Sequence, residues 1–146
     1  MAEWFECKVK FDKTVESGQI KTVTEAYLVD ALSFTEAEKR FIDEIKPFMS
    51  GEFFVQDIKR ARIAELVESI DATDDRWYKA KVVFITLDEK TAVEKKTAQT
   101  QMIQAKDFAT ALAHLQRSME GTLGDWTIAS IQETAIMDVF RYKPQD

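Results

Sequence analysis

Residues 4–67 and 77–140 of this chain read as one unit written twice, and no other feature constrains the fold as strongly. Trp4, Lys8, Val9 and Phe11 recur 73 positions later as Trp77, Lys81, Val82 and Phe84. After a one-residue slip, Ala31, Phe34 and Ala37 match Ala105, Phe108 and Ala111. The register then returns, pairing Phe53, Val55, Ile58 and Ile63 with Trp126, Ile128, Ile131 and Ile136. Apolar and aromatic positions match while charges drift, as in a shared fold whose surfaces changed separately. The spacing is half of the 146 residues, so the sequence predicts a single domain, 1–146, made of two repeats with a junction at 70–75.

Within each repeat the periodicity predicts strand–strand–helix–strand. Phe5, Cys7, Val9 and Phe11 alternate with Trp4, Glu6, Lys8 and Lys10, the pattern of a half-buried strand. Glu16–Gln19 reads as a turn, and 21–31 as the returning strand of a hairpin. Ser33-Phe34-Thr35-Glu36 has the form of a capping box, in which the hydroxyl accepts from the backbone and the carboxylate reaches back. The helix it opens is expected to bury Phe34, Ala37, Phe41, Ile45 and Phe48, and to leave through Ser50-Gly51. Segment 52–69 reads as a long strand. The second half repeats the order with strands 76–87 and 94–105, a helix capped by Asp107, and strand 125–142. Phe34 and Phe108 are the expected anchors of the two helices. Ile58 and Ile63 lie five apart, as do Ile131 and Ile136, so each last strand either carries a bulge or breaks in two. The expected class is α+β: an antiparallel sheet with helices packed on it and pseudo-twofold symmetry between repeats.

Composition narrows the function classes. Net charge is −6, with 10 basic and 15 acidic groups in 1–73 against 10 and 11 in 74–146. No global basic field draws the chain to nucleic acid or anionic lipid, so such binding needs a local face. No apolar run approaches the roughly 18 residues of a membrane helix. The start, MAEWFECKVK, lacks a basic region followed by an apolar stretch, which predicts a cytoplasmic protein. One cysteine, Cys7, makes no internal disulfide and fits a reducing compartment.

Catalytic and metal chemistry find little to stand on. His114 is the single histidine, on the flank of the second helix, and reads as solvated rather than as a base. Cys7 alternates inward and reads as structural. Asp71, Thr73 and Asp75 imitate the start of a calcium loop, but Arg76 and Val82 stand where Gly and Glu are needed. There is no glycine-rich phosphate loop. No enzyme, metal or cofactor is expected.

The remaining feature is a sheet face. Trp4, Lys8 and Lys10 share one side of the first strand, Trp77, Lys79 and Lys81 that of its counterpart, and Lys59, Arg60 and Arg62 add a local cluster. Aromatics interleaved with cations form a stacking platform for single-stranded nucleic acid. The same residues read otherwise if the Trp side chains plug the seam between halves and the lysines keep the strands soluble. The expected function is a non-enzymatic structural or protein-interaction module, with a second copy among its candidate partners. The alternative is a small single-stranded nucleic-acid-binding protein using Trp4, Lys8, Lys10, Lys59, Arg60, Arg62, Trp77 and Lys81. Exposure of Trp4 and Trp77 separates the two.

Four stretches carry a family resemblance: WFECKV, YLVDALSFTEAE, DRWYKAKVVFITLDEK and TAIMDVF. Together they resemble a bacterial domain-of-unknown-function family typical of Bacteroides-like organisms and their mobile elements. The resemblance covers essentially the whole chain and implies a stand-alone intracellular protein, with no activity to carry over. A fainter similarity is to PUR-type nucleic-acid binders, which pair two repeats of strands and a helix, with four strands before each helix.

Overall fold

The computed structural model describes residues 3–142. The elements are β1 (Glu3–Thr14), β2 (Ile20–Ala31), α1 (Phe34–Ile45), β3 (Phe53–Ala61), β4 (Glu65–Val67), β5 (Arg76–Leu87), β6 (Glu94–Ala105), α2 (Phe108–Ser118), β7 (Asp125–Glu133) and β8 (Ile136–Phe140). They form an α+β protein with two four-stranded sheets, ordered β3-β1-β2-β8 and β4-β6-β5-β7. Two compact units result among the described residues, one from 3–62 with 135–142, the other from 63–134.

The hairpins form where alternation and turn residues meet. β1 pairs antiparallel with β2 from Glu3↔Ala31 to Thr14↔Ile20, and Gly18 takes the positive φ of 84° that its turn requires. β5 and β6 pair likewise from Arg76↔Ala105 to Leu87↔Glu94. The long strand expected over 52–69 is broken. β3 ends at Ala61 in the first sheet and β4 begins at Glu65 in the second, so Ile58 and Ile63 never share a strand. β7 and β8 part in the same way around Thr134. The break decides between the alternatives posed by the five-residue spacing. It also corrects the expectation of an antiparallel sheet: β4 runs parallel to β6, and β8 parallel to β2, so both sheets are mixed.

Each helix covers one face of its sheet. Ser33 caps α1 by accepting from the Glu36 N–H at 3.1 Å, and Asp107 caps α2 by accepting from the Thr110 N–H at 2.8 Å. The Thr110 hydroxyl and N–H hold the Asp107 carboxyl below the usual carboxylate range. Under α1 lie Phe5, Cys7, Val9, Tyr27, Val29 and Ala31; under α2 lie Tyr78, Ala80, Val82, Ile103 and Ala105. The helices contribute Ala37, Phe41 and Ile45, and Ala111 and Leu115, with Met119 added just past the end of α2.

Phe34 and Phe108 are not the anchors expected of them; Phe34 stays 46% exposed and Phe108 is exposed as well. Both occupy the first helical position, where a side chain leans back over the capping turn rather than down onto the sheet. Phe34 meets Phe5 edge-on at 5.0 Å. Phe48 is also exposed, because Pro47 turns the chain into a 3₁₀ turn (Lys46–Phe48) and shifts the phase of the apolar stripe. That turn is the exit from α1; Gly51 takes no positive φ.

Candidate functional site

Each sheet has a second face, opposite its helix, and the register fixes what stands on it. Residues directly across a strand pair share a face. On the first sheet, Trp4 faces Asp30 and Ala61, Lys8 faces Ala26 and Asp57, and Lys10 faces Thr24 and Phe54. On the second, Trp77 faces Gln104, Lys79 faces Met102 and Gln132, and Lys81 faces Thr100 and Ser130. Trp4, Lys8 and Lys10 therefore do share one face, as do Trp77, Lys79 and Lys81.

Two candidate cations of the first sheet are committed to carboxylates, while Lys8 and Lys10 carry no ion pair among the described residues. Lys59 Nζ lies 3.4 Å from Glu6, and Arg60 Nε lies 3.2 Å from Glu3. The cluster read from Lys59, Arg60 and Arg62 is in fact divided. Successive strand side chains point to opposite faces. Lys59 thus joins Glu6 on the face opposite the helix, termed the open face although Ala26 and Leu28 on it are buried. Arg60 turns to the helix side and lies over the Phe34 ring at 5.3 Å. Arg62 lies beyond the strand end, exposed. Glu6 sits two residues from both Trp4 and Lys8, so its place on that face was visible in the alternation.

The two tryptophans differ. Trp77 is 3% exposed, and its carbonyl accepts from both the N–H and the hydroxyl of Thr134 at 2.9 Å. Trp4 is half-buried, with the Arg141 guanidinium 6.0 Å from its ring centre. The most exposed aromatic on the open face of the first sheet is instead Phe54, 65% exposed across from Lys10. Its odd position in a strand of mixed pattern gave no advance signal. Lys79 and Lys81 are exposed and carry no ion pair among the described residues.

A polar knot in the second unit could not be read from sequence at all. Asp74 is 4% exposed. It accepts from the Ser69 hydroxyl at 2.5 Å and from the Lys106 N–H at 2.9 Å. His114 brings Nε2 within 3.8 Å of the same carboxylate, and its Nδ1 meets the Gln104 carbonyl at 3.0 Å. His114 is therefore a part-buried tie rather than a solvated flank residue. Ser69 gives its proton to Asp74, not to His114, so the three groups are not arranged to activate the hydroxyl through imidazole. What the knot does is fasten the 68–75 loop to the end of β6, to which His114 also ties α2. Asp71 closes that loop by accepting from the Thr73 N–H at 2.9 Å and hydroxyl at 2.8 Å, which hold its carboxyl below the usual range. Among the described residues, no group of three or more His, Cys, Asp or Glu side chains could hold a metal ion.

Cys7 is buried on the helix side of β1. Loss of solvation, then Glu6 and Asp57, push its thiol up to about 12.

β3 forms one edge of the first sheet, with α1 beside it. A groove of about 410 Å³ runs between them, lined by Phe34, Glu38, Val55, Asp57 and Ile58. β3 carries a bulge at Gln56, where the register slips between Lys8 and Val9; β7 carries one where it slips between Lys81 and Val82. The fold and this surface thus define an α+β protein of two mixed sheets, with edge strands at the margins of each. The chain belongs to a family known as a domain of unknown function, DUF4494, whose model matches residues 3–142. No curated protein matches the chain. No helix among the described residues is long and apolar enough to cross a membrane.

Proposed function

We propose that this chain is a non-enzymatic structural or protein-interaction module of the cytoplasm that pairs with a second copy of itself. The observation that carries the reading is Trp77 at 3% exposure. A stacking platform needs its aromatic faces open to bases, and this ring is closed off. The engagement of Lys59 by Glu6 and of Arg60 by Glu3 supports the same reading, since cations already paired attract phosphate less. Support for protein contact comes from exposed Phe34, Phe48 and Phe54 in the first unit, two of them flanking an edge strand. A single buried thiol is in keeping with a reducing compartment.

We also read the chain as one domain of two strand–strand–helix–strand repeats, about 4–67 and 77–140, related by a pseudo-twofold axis. The support is that both sheets share one strand order and carry bulges at Lys8/Val9 and Lys81/Val82, 73 positions apart. The last strand of each repeat would then be the one exchanged between sheets. The resemblance of the four quoted stretches is what favours a bacterial origin among Bacteroides-like organisms.

Single-stranded nucleic-acid binding stays as the second reading because Lys79 and Lys81 are exposed and unpaired among the described residues, beside Thr100 and Ser130. Two measurements separate the readings: light scattering after size exclusion, and a Trp-fluorescence titration with a dT20 oligonucleotide at low and moderate salt. Self-association without quenching is the expected result. Binding that weakens by about 0.7 decades per decade of salt for each phosphate engaged would transfer the assignment to nucleic acid.

A further inference from the structure

We propose that β3 is the contact between two copies of this chain, joining antiparallel across a twofold axis between Gln56 and Asp57. The proposal rests on the protein-contact reading above and gives it a surface and a partner.

β3 is an edge, so one side of its backbone has no strand neighbour among the described residues. An added strand satisfies such an edge through main-chain hydrogen bonds, and its alternate side chains set specificity. β3 also presents apolar groups on both faces. Phe53, Val55 and Ile58 pack toward the helix side, with Phe34 above them; Phe54 stands on the open face. An incoming strand covers both.

The strand is complementary to itself. Glu52 lies at one end and Lys59, Arg60 and Arg62 at the other. Antiparallel pairing sets the acidic end of each copy beside the basic end of the other. An isologous contact makes every such match twice.

The bulge then selects the register. Because Gln56 is the extra residue, the helix-side set is Phe53, Val55, Ile58 and Arg60, and the open-face set is Phe54, Asp57 and Lys59. Paired residues must share a face. An axis between Gln56 and Asp57 meets that condition along the whole strand: Phe53 opposite Arg60, Phe54 opposite Lys59, Val55 opposite Ile58. Shifting by one residue sets Phe53 against Lys59 and mismatches the faces. A bulged, lysine-bearing edge resists a flat unrelated strand. A second copy brings the same bend to the same place, so the feature that repels other strands is compatible with this one.

The test uses two single variants and their mixture. Glu52→Lys sets a lysine diagonally across from the other copy's Lys59, and Lys59→Glu sets a glutamate diagonally across from its Glu52. Glu52 lies just outside β3 and is exposed, so the Glu52→Lys melt should overlay the parent. Lys59→Glu also sets a second carboxylate opposite Glu6 within its own sheet and should melt slightly lower, so association is compared well below both melts. Sedimentation equilibrium should find the parent moving from 16.8 kDa toward twice that mass with concentration. Each variant alone should dimerise roughly three- to thirty-fold more weakly, from two repelling contacts. Mixing the variants should restore association, because every contact in the mixed pair is then attractive. A parent that stays monomeric to about millimolar concentration overturns self-pairing, and with it the homodimer of the functional reading. A dimer indifferent to both variants overturns β3 as the contact and leaves that reading standing. Weakening by each variant without recovery in the mixture overturns the register.

Discussion

Replacing Asp74 tests whether the polar knot holds the 68–75 loop to the rest of its unit. The carboxylate accepts a hydroxyl proton from Ser69 at 2.5 Å and a backbone proton from Lys106 at 2.9 Å. Hydrogen bonds to a charged group contribute about 1.5–3 kcal/mol each, which sets an upper range of about 3–6 kcal/mol for Asp74→Ala. The Ser69 hydroxyl borders a groove beside α2 and can turn toward water, so about 2–4 kcal/mol is the expected loss. His114, at 3.8 Å, is beyond hydrogen-bond reach and adds only a Coulomb attraction when protonated. Asp74→Asn keeps one oxygen for the Lys106 N–H and offers the Ser69 oxygen a donor instead, so it should cost less than the alanine. Urea unfolding at neutral pH, read by tryptophan emission, measures both; at roughly 2–4 °C per kcal/mol the alanine variant should also melt about 5–15 °C lower. Because the carboxylate is buried, added salt should change the ranking little. A loss below about 1 kcal/mol for Asp74→Ala, or an asparagine costing more than the alanine, would refute the reasoning.

Three further outcomes are expected. Phe41→Ala empties a fully buried site against Tyr27 and should cost about 3–5 kcal/mol in urea unfolding, whereas Phe34→Ala, half in water, should cost well under half of that; equal losses would contradict the helix phase. Gln101 is 2% exposed, its Oε1 has no hydrogen-bond partner among the described residues and its Nε2 meets the Met119 sulfur at 3.4 Å, so Gln101→Met should raise stability by about 1 kcal/mol; a loss of that size would mean the amide is satisfied. The Cys7 thiol, raised from 9.0 to about 12, favours folding fully below pH 9, and that contribution should fade as pH rises from 9 toward 12. Ellman's reagent at pH 8 should accordingly label Cys7 only in denaturant, and rapid labelling of the folded protein would show the site to be open.

Much of the architecture was legible from local pattern. Strand alternation, the Ser33 and Asp107 caps, the Gly18 turn and the broken spacing of Ile58 and Ile63 are all short-range consequences of backbone geometry, and the sequence states them directly. The inward place of Cys7 followed from the same alternation. Phe34 and Phe48 were misread because a helical stripe tells which residues align, not which turn of the helix still overlies the sheet.

What only tertiary structure decided is where partners distant in sequence meet. The spacing of Ile58 and Ile63 left a bulge and a break equally open. That the strand breaks after Ala61, that β4 then joins β6, and that β8 joins β2 were decided in space. Burial of Trp77 against exposure of Lys81 came from packing, since alternation gives both residues the same face. The Asp74 knot draws on positions 69, 74, 104, 106 and 114, and no periodicity links them. Local geometry is fixed by neighbours along the chain; burial and charge pairing are fixed by neighbours in space, and these a single sequence leaves unwritten until it folds.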